Sequence, residues 1–303
     1  MKVAAIGIGS NSVRMLVAQV QSGRGRRIRR DRAGTRLFAG LDERRMLSRE
    51  SMESTVAAVA VMARSAREEG AAEVSLFATS ATRDAANSAE LAAMLRAAAG
   101  VELEICSGEE EAALSFLGAT DCGHTGVIDI GGGSTEVIVG TGLDVEHSFS
   151  CQMGAVRLFR LLPIACEDDL AAVERMAEDI LMKQLACHPG LSAPDRWIGT
   201  GGTFTTLAAM TRGISWSDRR FIHGTALTME DVRRQARLLA GMTLEERLRL
   251  PGLQPNRADI AAHGFCILLA CMRRLGIARI DVSEYGNLDG YIKRRYQLLQ
   301  GLE

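Results

Sequence analysis

One pattern constrains this chain more than any other. A strand, a glycine-containing turn and a second strand occur at Ile6–Val17 and again at Ile128–Val139. The segments "IGIGSNSVRMLV" and "IDIGGGSTEVIV" align without gaps, and five of their twelve pairs are identical. Apolar, β-branched runs on either side of a Gly/Ser/Asn turn read as a hairpin. Two such openings in one chain point to two similar domains facing each other. One mismatch changes the chemistry: Gly7 stands where the second copy has Asp129.

The rest of the chain alternates strand and helix patterns. The first 45 residues read as strands, and "EVSLFAT", "VELEIC", "LDVEHSFSC", "RWIGT" and "ARIDVSEYG" read likewise. Helical periodicity marks the stretch from Ser48, then "SAELAAMLRAAAG", "SGEEEAALSFLGA", "TMEDVRRQARLLAGM", "TLEERLRL", "RADIAAHGFCILLACMRRLG" and the closing "GYIKRRYQLLQGL". Such alternation defines an α/β protein. The short polar "TDCGHTG" sets a boundary near residues 121–126, dividing the chain into 1–122 and 123–303.

Bulk properties exclude several classes. A formal net charge of −1 supplies no global field toward nucleic acid or membrane. The N-terminal apolar run is too short and Gly-rich for a signal peptide, and no run nears the roughly 20 residues that span a bilayer. Seven scattered Cys without a CxxC read as reduced thiols, which suits a cytoplasmic protein. The five His have no metal spacing, and neither a nucleophile elbow nor a Walker sequence is present.

Three glycine-rich loops remain: "GIGSNS" at 7–12, "DIGGGST" at 129–135 and "GTGGTFT" at 199–205. Such turns let main-chain N–H groups approach an anion, and the third opens a helix whose N-terminus adds its dipole. Loops from facing domains would clamp a phosphate chain. Asp129, at a strand end, and Glu136, at the mouth of the next strand, could hold Mg²⁺ beside it. Glu109, Glu110 and Glu111 fill a first helical turn, where acidic residues also serve the dipole. Arg14 sits in an otherwise apolar strand, and Arg83 in a strand-to-helix turn could bind phosphate bidentately. The run Arg24–Arg32 reads as a solvated hairpin, or as a dock for a long polyanion.

Together these residues resemble the exopolyphosphatase/guanosine pentaphosphate phosphohydrolase (Ppx/GppA) family. "GSNSVRMLV" and "VIDIGGGSTEVIVG" look like its two phosphate loops, and "ATSATRDAANS", "ICSGEEEAALSFLGA", "QMGAVRL", "IGTGGTFTTLAA" and "VSEYGNLDG" look like its later segments. The resemblance implies two ribonuclease-H-like domains of the actin-like ATPase superfamily facing across a cleft, with the last helix, about 287–303, packed back on the first domain. It implies hydrolysis of terminal phosphate from polyphosphate or pppGpp with Mg²⁺ or another divalent cation, by a protein that pairs as a homodimer. Glu111 would be the general base, and Asp129 and Glu136 would be catalytic and hold the metal. Ser10, Asn11, Ser12, Arg14, Arg83, Gly131, Gly132, Gly133, Ser134, Thr135, Gly201, Gly202 and Thr203 would bind phosphate.

Two departures stand out. The family's first loop reads Asp-x-Gly-Ser-Asn-Ser, and here the Asp is Gly7. Its closing Gly-Leu-Arg-Glu-Gly is here "GNLDG", with Leu288 in place of Arg. The resemblance is to the short form of the family, which is expected to be without the C-terminal helical domain of the long members. Exopolyphosphatase activity is the leading expectation. pppGpp hydrolysis and a weakly active polyphosphate or (p)ppGpp sensor are the alternatives.

Overall fold

The computed structural model describes residues 1–120, 122–298 and 302. The chain divides into two compact units, Met1–Asp121 with Gly286–Glu303, and Cys122–Tyr285.

The first unit opens with antiparallel β1 (Lys2–Ile8), β2 (Ser12–Gln21) and β3 (Arg24–Gly34). Then come α1 (Arg49–Glu68), β4 (Glu73–Ala78), α2 (Ser80–Asp84), α3 (Ser88–Ala99), β5 (Leu103–Ile105) and α4 (Gly108–Ala119). Strands β4 and β5 add in parallel, so the sheet order is β3-β2-β1-β4-β5. Local chemistry sets the ends. The Ser48 hydroxyl accepts from the N–H of Ser51 to start α1, and Gly100 ends α3 in the left-handed region.

The second unit repeats this plan. It has β6 (His124–Ile130), β7 (Thr135–Thr141), β8 (Asp144–Cys151), α5 (Ala155–Leu161), α6 (Leu170–Cys187), β9 (Arg196–Thr200) and α7 (Gly202–Arg212). It continues through β10 (Ala226–Thr228), α8 (Met229–Ala240), α9 (Leu244–Arg247), α10 (Ala261–Arg274) and β11 (Arg279–Val282). The sheet order β8-β7-β6-β9-β11, with β10 at the edge, mirrors the first unit. Both sheets are mixed, in the ribonuclease-H order, and even the strand irregularities coincide. The register shifts at Val17/Ala18 in one unit and at Val139/Gly140 in the other.

The last helix, α11 (Asn287–Arg295), belongs to the first unit and packs on α4. Glycines allow a close crossing: a Cβ on Gly290 would strike the Leu114 carbonyl oxygen, and one on Gly118 that of Gly286. Lys293, buried, donates to the carbonyls of Leu117 and Thr120 and so neutralises the C-terminal end of α4. Of the helix expected over about 287–303, residues 299–301 and 303 lie outside the described residues, as does Asp121 at the expected boundary.

Two local expectations change. The strands stop at Gly34, and Leu37–Gly40 forms a 3₁₀ turn. "TLEERLRL" yields a single turn, Leu244–Arg247, because Pro251 restrains the residue before it from helical backbone. Among the described residues no helix is long and apolar enough to cross a membrane.

Candidate active site

In the first unit the loop after β1 is closed by Gly9 N–H donating to the Ser12 carbonyl at 3.0 Å. The carbonyls of Ser10 and Asn11 accept from Phe38 and Arg36, so the loop turns its acceptors into the protein. Ser10, Asn11 and Ser12 are buried there. Arg14, half-buried on β2, donates to Asn287 Oδ1 at 3.0 Å. After β4, Arg83 meets Glu111: Nη1 lies 3.1 Å from Glu111 Oε2 and donates to the Cys106 carbonyl at 2.9 Å. Its Nη2 is shielded from solvent and has no hydrogen-bond partner among the described residues, and the Ser80 and Thr82 hydroxyls are in the same condition. Unmatched buried donors of this kind are costly unless a ligand meets them.

The helix start sorts the acidic triplet. Glu109 is exposed. Glu110 closes a capping box, its carboxylate accepting from Ser107 N–H at 2.7 Å. Glu111 alone is buried, and Arg83 orients it.

The second unit holds the other two loops. Gly131 N–H donates to the Ser134 carbonyl at 3.0 Å, the same closure as in the first unit. The carbonyls of Gly131 and Gly132 accept from the start of α5, and that of Gly133 from Arg157 Nε at 2.7 Å. The N–H groups of Gly132 and Gly133 have no protein acceptor among the described residues, which is the arrangement of an anion-binding nest. Gly201 has φ +90°, and a Cβ there would crowd Asp129 Oδ1. Gly202 is bare because the Arg257 guanidinium lies where its Cβ would be. The Thr135 and Thr203 hydroxyls are committed to the Met153 and Ile130 carbonyls, at 2.5 and 3.1 Å, so neither hydroxyl is available to phosphate as the structure stands.

Sheet register aligns the two units residue by residue. Residues directly opposite in a ladder project on one face. Across the second sheet such a row runs Ser150, Glu136, Asp129, Thr200, and across the first it runs Arg32, Arg14, Gly7, Phe77. The buried Glu136 accepts from Ser150 Oγ at 2.8 Å and faces Asp129 across the ladder. Two carboxylates so placed repel each other unless a cation lies with them. Among the described residues no group of three or more His, Cys, Asp or Glu is placed to hold a metal, so a cation at this row would meet the Asp129–Glu136 pair. A pair suits Mg²⁺, which keeps waters and takes substrate phosphate oxygens as further ligands.

Two residues escaped sequence reasoning. Phe77 occupies the room beside Gly7: a Cβ there would stand 3.0 Å from Phe77 Cζ. The ring is stacked on Tyr291, centroids 4.6 Å apart and planes 8° apart. Arg257 was equally silent, because pattern does not reveal what a glycine leaves room for; Arg32 lay in the run read as a solvated hairpin or a polyanion dock, but pattern did not reveal that a strand places it opposite Arg14. The Arg24–Arg32 run also changes meaning: Arg27 is ion-paired with Asp289 of α11 at 2.5 Å, so part of it is structural.

A profile of the Ppx/GppA phosphatase family matches residues 16–297. The chain belongs to the Ppx/GppA family. It is 33% identical to exopolyphosphatase 2 of Mycobacterium tuberculosis, over 95% of this chain and 97% of that one. It is 30% identical to exopolyphosphatase 1 of Mycobacterium bovis, over 97% and 88%. Among solved structures, an exopolyphosphatase-like protein superposes with a TM-score of 0.90 at 27% identity, covering 99% of both chains. The Aquifex aeolicus Ppx/GppA enzyme gives 0.80 at 28% identity, covering 96% and 98%. This Ppx/GppA chain therefore spans nearly the full length of its relatives.

Proposed function

We propose that this protein hydrolyses the terminal phosphoanhydride bond of inorganic polyphosphate and releases phosphate, assisted by a divalent cation. The observation that carries the reading is the row Glu136–Asp129 beside a glycine turn with two unmatched N–H groups, in a family whose relatives here are named exopolyphosphatases. In phosphoryl transfer to water, positioning and charge neutralisation supply most of the rate. Asp129 and Glu136 would hold Mg²⁺, which supplies neutralisation of the phosphate oxygens. In the second unit Gly132 and Gly133 cradle phosphate, and in the first Arg83 offers Nη2 to a phosphate oxygen. Glu111 takes the proton of the attacking water, its orientation fixed by Arg83 Nη1. A homodimer is part of this reading and is checked by sedimentation.

Phosphate release from long polyphosphate, pppGpp and ATP in parallel, with Mg²⁺ and with EDTA, tests it. Fastest release from polyphosphate, abolished by EDTA, is expected. Faster release from pppGpp would transfer the assignment to the nucleotide, and no release from any of them would leave a binding protein.

A further inference from the structure

The two rows described above occupy equivalent places in two copies of one fold, and they carry opposite charge. The second unit places Glu136 and Asp129 side by side. The first places Arg32 and Arg14 side by side and follows them with a residue that has no side chain. Two guanidiniums directly opposite in a ladder repel each other as two carboxylates do. What Arg14 has in the protein is a neutral acceptor, the Asn287 amide oxygen, which leaves its charge in place. Both arginines are half-buried, and Nε and Nη2 of Arg32 are shielded from solvent.

The far end of the row is closed as well. Phe77 fills the space where a side chain at position 7 would go, and it is held there by Tyr291 one helical turn along α11 from Asn287. Tyr291 is fixed in turn by donating to Glu104 at 2.9 Å. One face of α11 thus serves both ends of the row: Asn287 steadies Arg14, and Tyr291 pins the apolar wall. A metal ion finds no carboxylate in this row. A phosphate finds two guanidiniums, a turn with its carbonyls directed away, and an apolar side that keeps the field strong.

We propose that Arg32 is a substrate-binding residue and that the row Arg32–Arg14–Gly7 is a phosphate subsite that works without metal. The division of labour follows from register and lies between the two rows: the row of the first unit binds the anion, and the row of the second binds the cation. This rests on the polyphosphate reading for its ligand, but not on turnover.

Titration calorimetry with tripolyphosphate in EDTA tests the proposal, because hydrolysis plays no part in it. Wild type is expected to bind in EDTA, more weakly as salt rises. Arg32→Gln is expected to bind at least 10-fold more weakly, in line with loss of a charge-assisted hydrogen bond, with an unchanged melting curve. Arg32→Lys keeps a charge but loses the fork, and several-fold weaker binding is expected. Should Arg32→Gln not fold, the Lys variant decides. Wild-type binding that requires Mg²⁺, or wild-type affinity in the Arg32 variant that folds, would overturn the subsite. Absent phosphate release with intact EDTA binding would overturn the hydrolase reading alone.

Discussion

Placing Asp at position 7 looks at first like restoring a lost carboxylate, since Gly7 is an ordinary strand residue with no positive φ. The structure predicts damage instead. The new Cβ would lie 3.0 Å from Phe77 Cζ and 3.4 Å from both Cε atoms, inside the carbon–carbon optimum of about 3.5–4.0 Å. The ring cannot retreat: it is fully buried and stacked on Tyr291, whose hydroxyl is tied to Glu104. Overpacking costs about 1–3 kcal/mol. Bringing a carboxylate against an aromatic ring adds about 1–3 kcal/mol. Arg14, directly opposite, returns up to about 1 kcal/mol. The sum is a loss of about 1–6 kcal/mol, or a melt lower by roughly 2–24 °C. Urea and thermal unfolding of wild type, Gly7→Asp, Phe77→Leu and the double variant measure it. The Gly7→Asp penalty should shrink by at least about 1 kcal/mol when Phe77 is Leu. An unchanged melt for Gly7→Asp, or the same penalty in both backgrounds, would refute the steric argument.

Glu111→Gln should lower turnover by on the order of 10²-fold or more, while Glu110→Ala should cost about 1 kcal/mol of stability through the lost capping box and leave turnover intact; phosphate release and melts on both separate the two. Gly290→Ala should destabilise by on the order of 3 kcal/mol, because the Leu114 carbonyl it strikes is main chain and cannot swing away; a melt checks this, and turnover should fall with it since α4 carries Glu111. Burial pulls His263 down to about 4, against about 6.5 unfolded. The unfolded chain therefore binds a proton that the folded one refuses, and stability should fall between pH 6.5 and 4, by up to roughly 3 kcal/mol, then level off. Melts across that range should show less slope in His263→Leu.

Much of the fold was legible because it is written in local chemistry. The two hairpins show as matching apolar runs, α3 ends at Gly100, and α4 begins at Ser107 with Glu110 three residues on. Pro251 was visible too, and weighing it would have shortened the helix drawn through "TLEERLRL" to the turn it is. What local pattern does not carry is the occupant of a space. Gly7 announced a missing carboxylate, but nothing near it in sequence announced the Phe77 ring, because a parallel neighbour arrives through a helical crossover.

The charge reversal between the units shows where sequence stops and register begins. In the aligned repeats Arg14 already stands opposite Glu136, as Gly7 does Asp129. In the alignment these are two separate mismatches. Only strand pairing makes them neighbours, Gly7 beside Arg14 and Asp129 beside Glu136, and only pairing brings Arg32 and Ser150 to the ends of the rows. Read together, they are one change of sign in a four-residue row, and the loss at Gly7 has a physical reason. A carboxylate there would neutralise Arg14 directly across the ladder and oppose an incoming phosphate, whereas in the second unit the carboxylate next to Glu136 would strengthen the proposed cation site. The same duplicated turn can therefore serve anion and cation, provided the residues lateral to it, rather than the glycines within it, carry the difference.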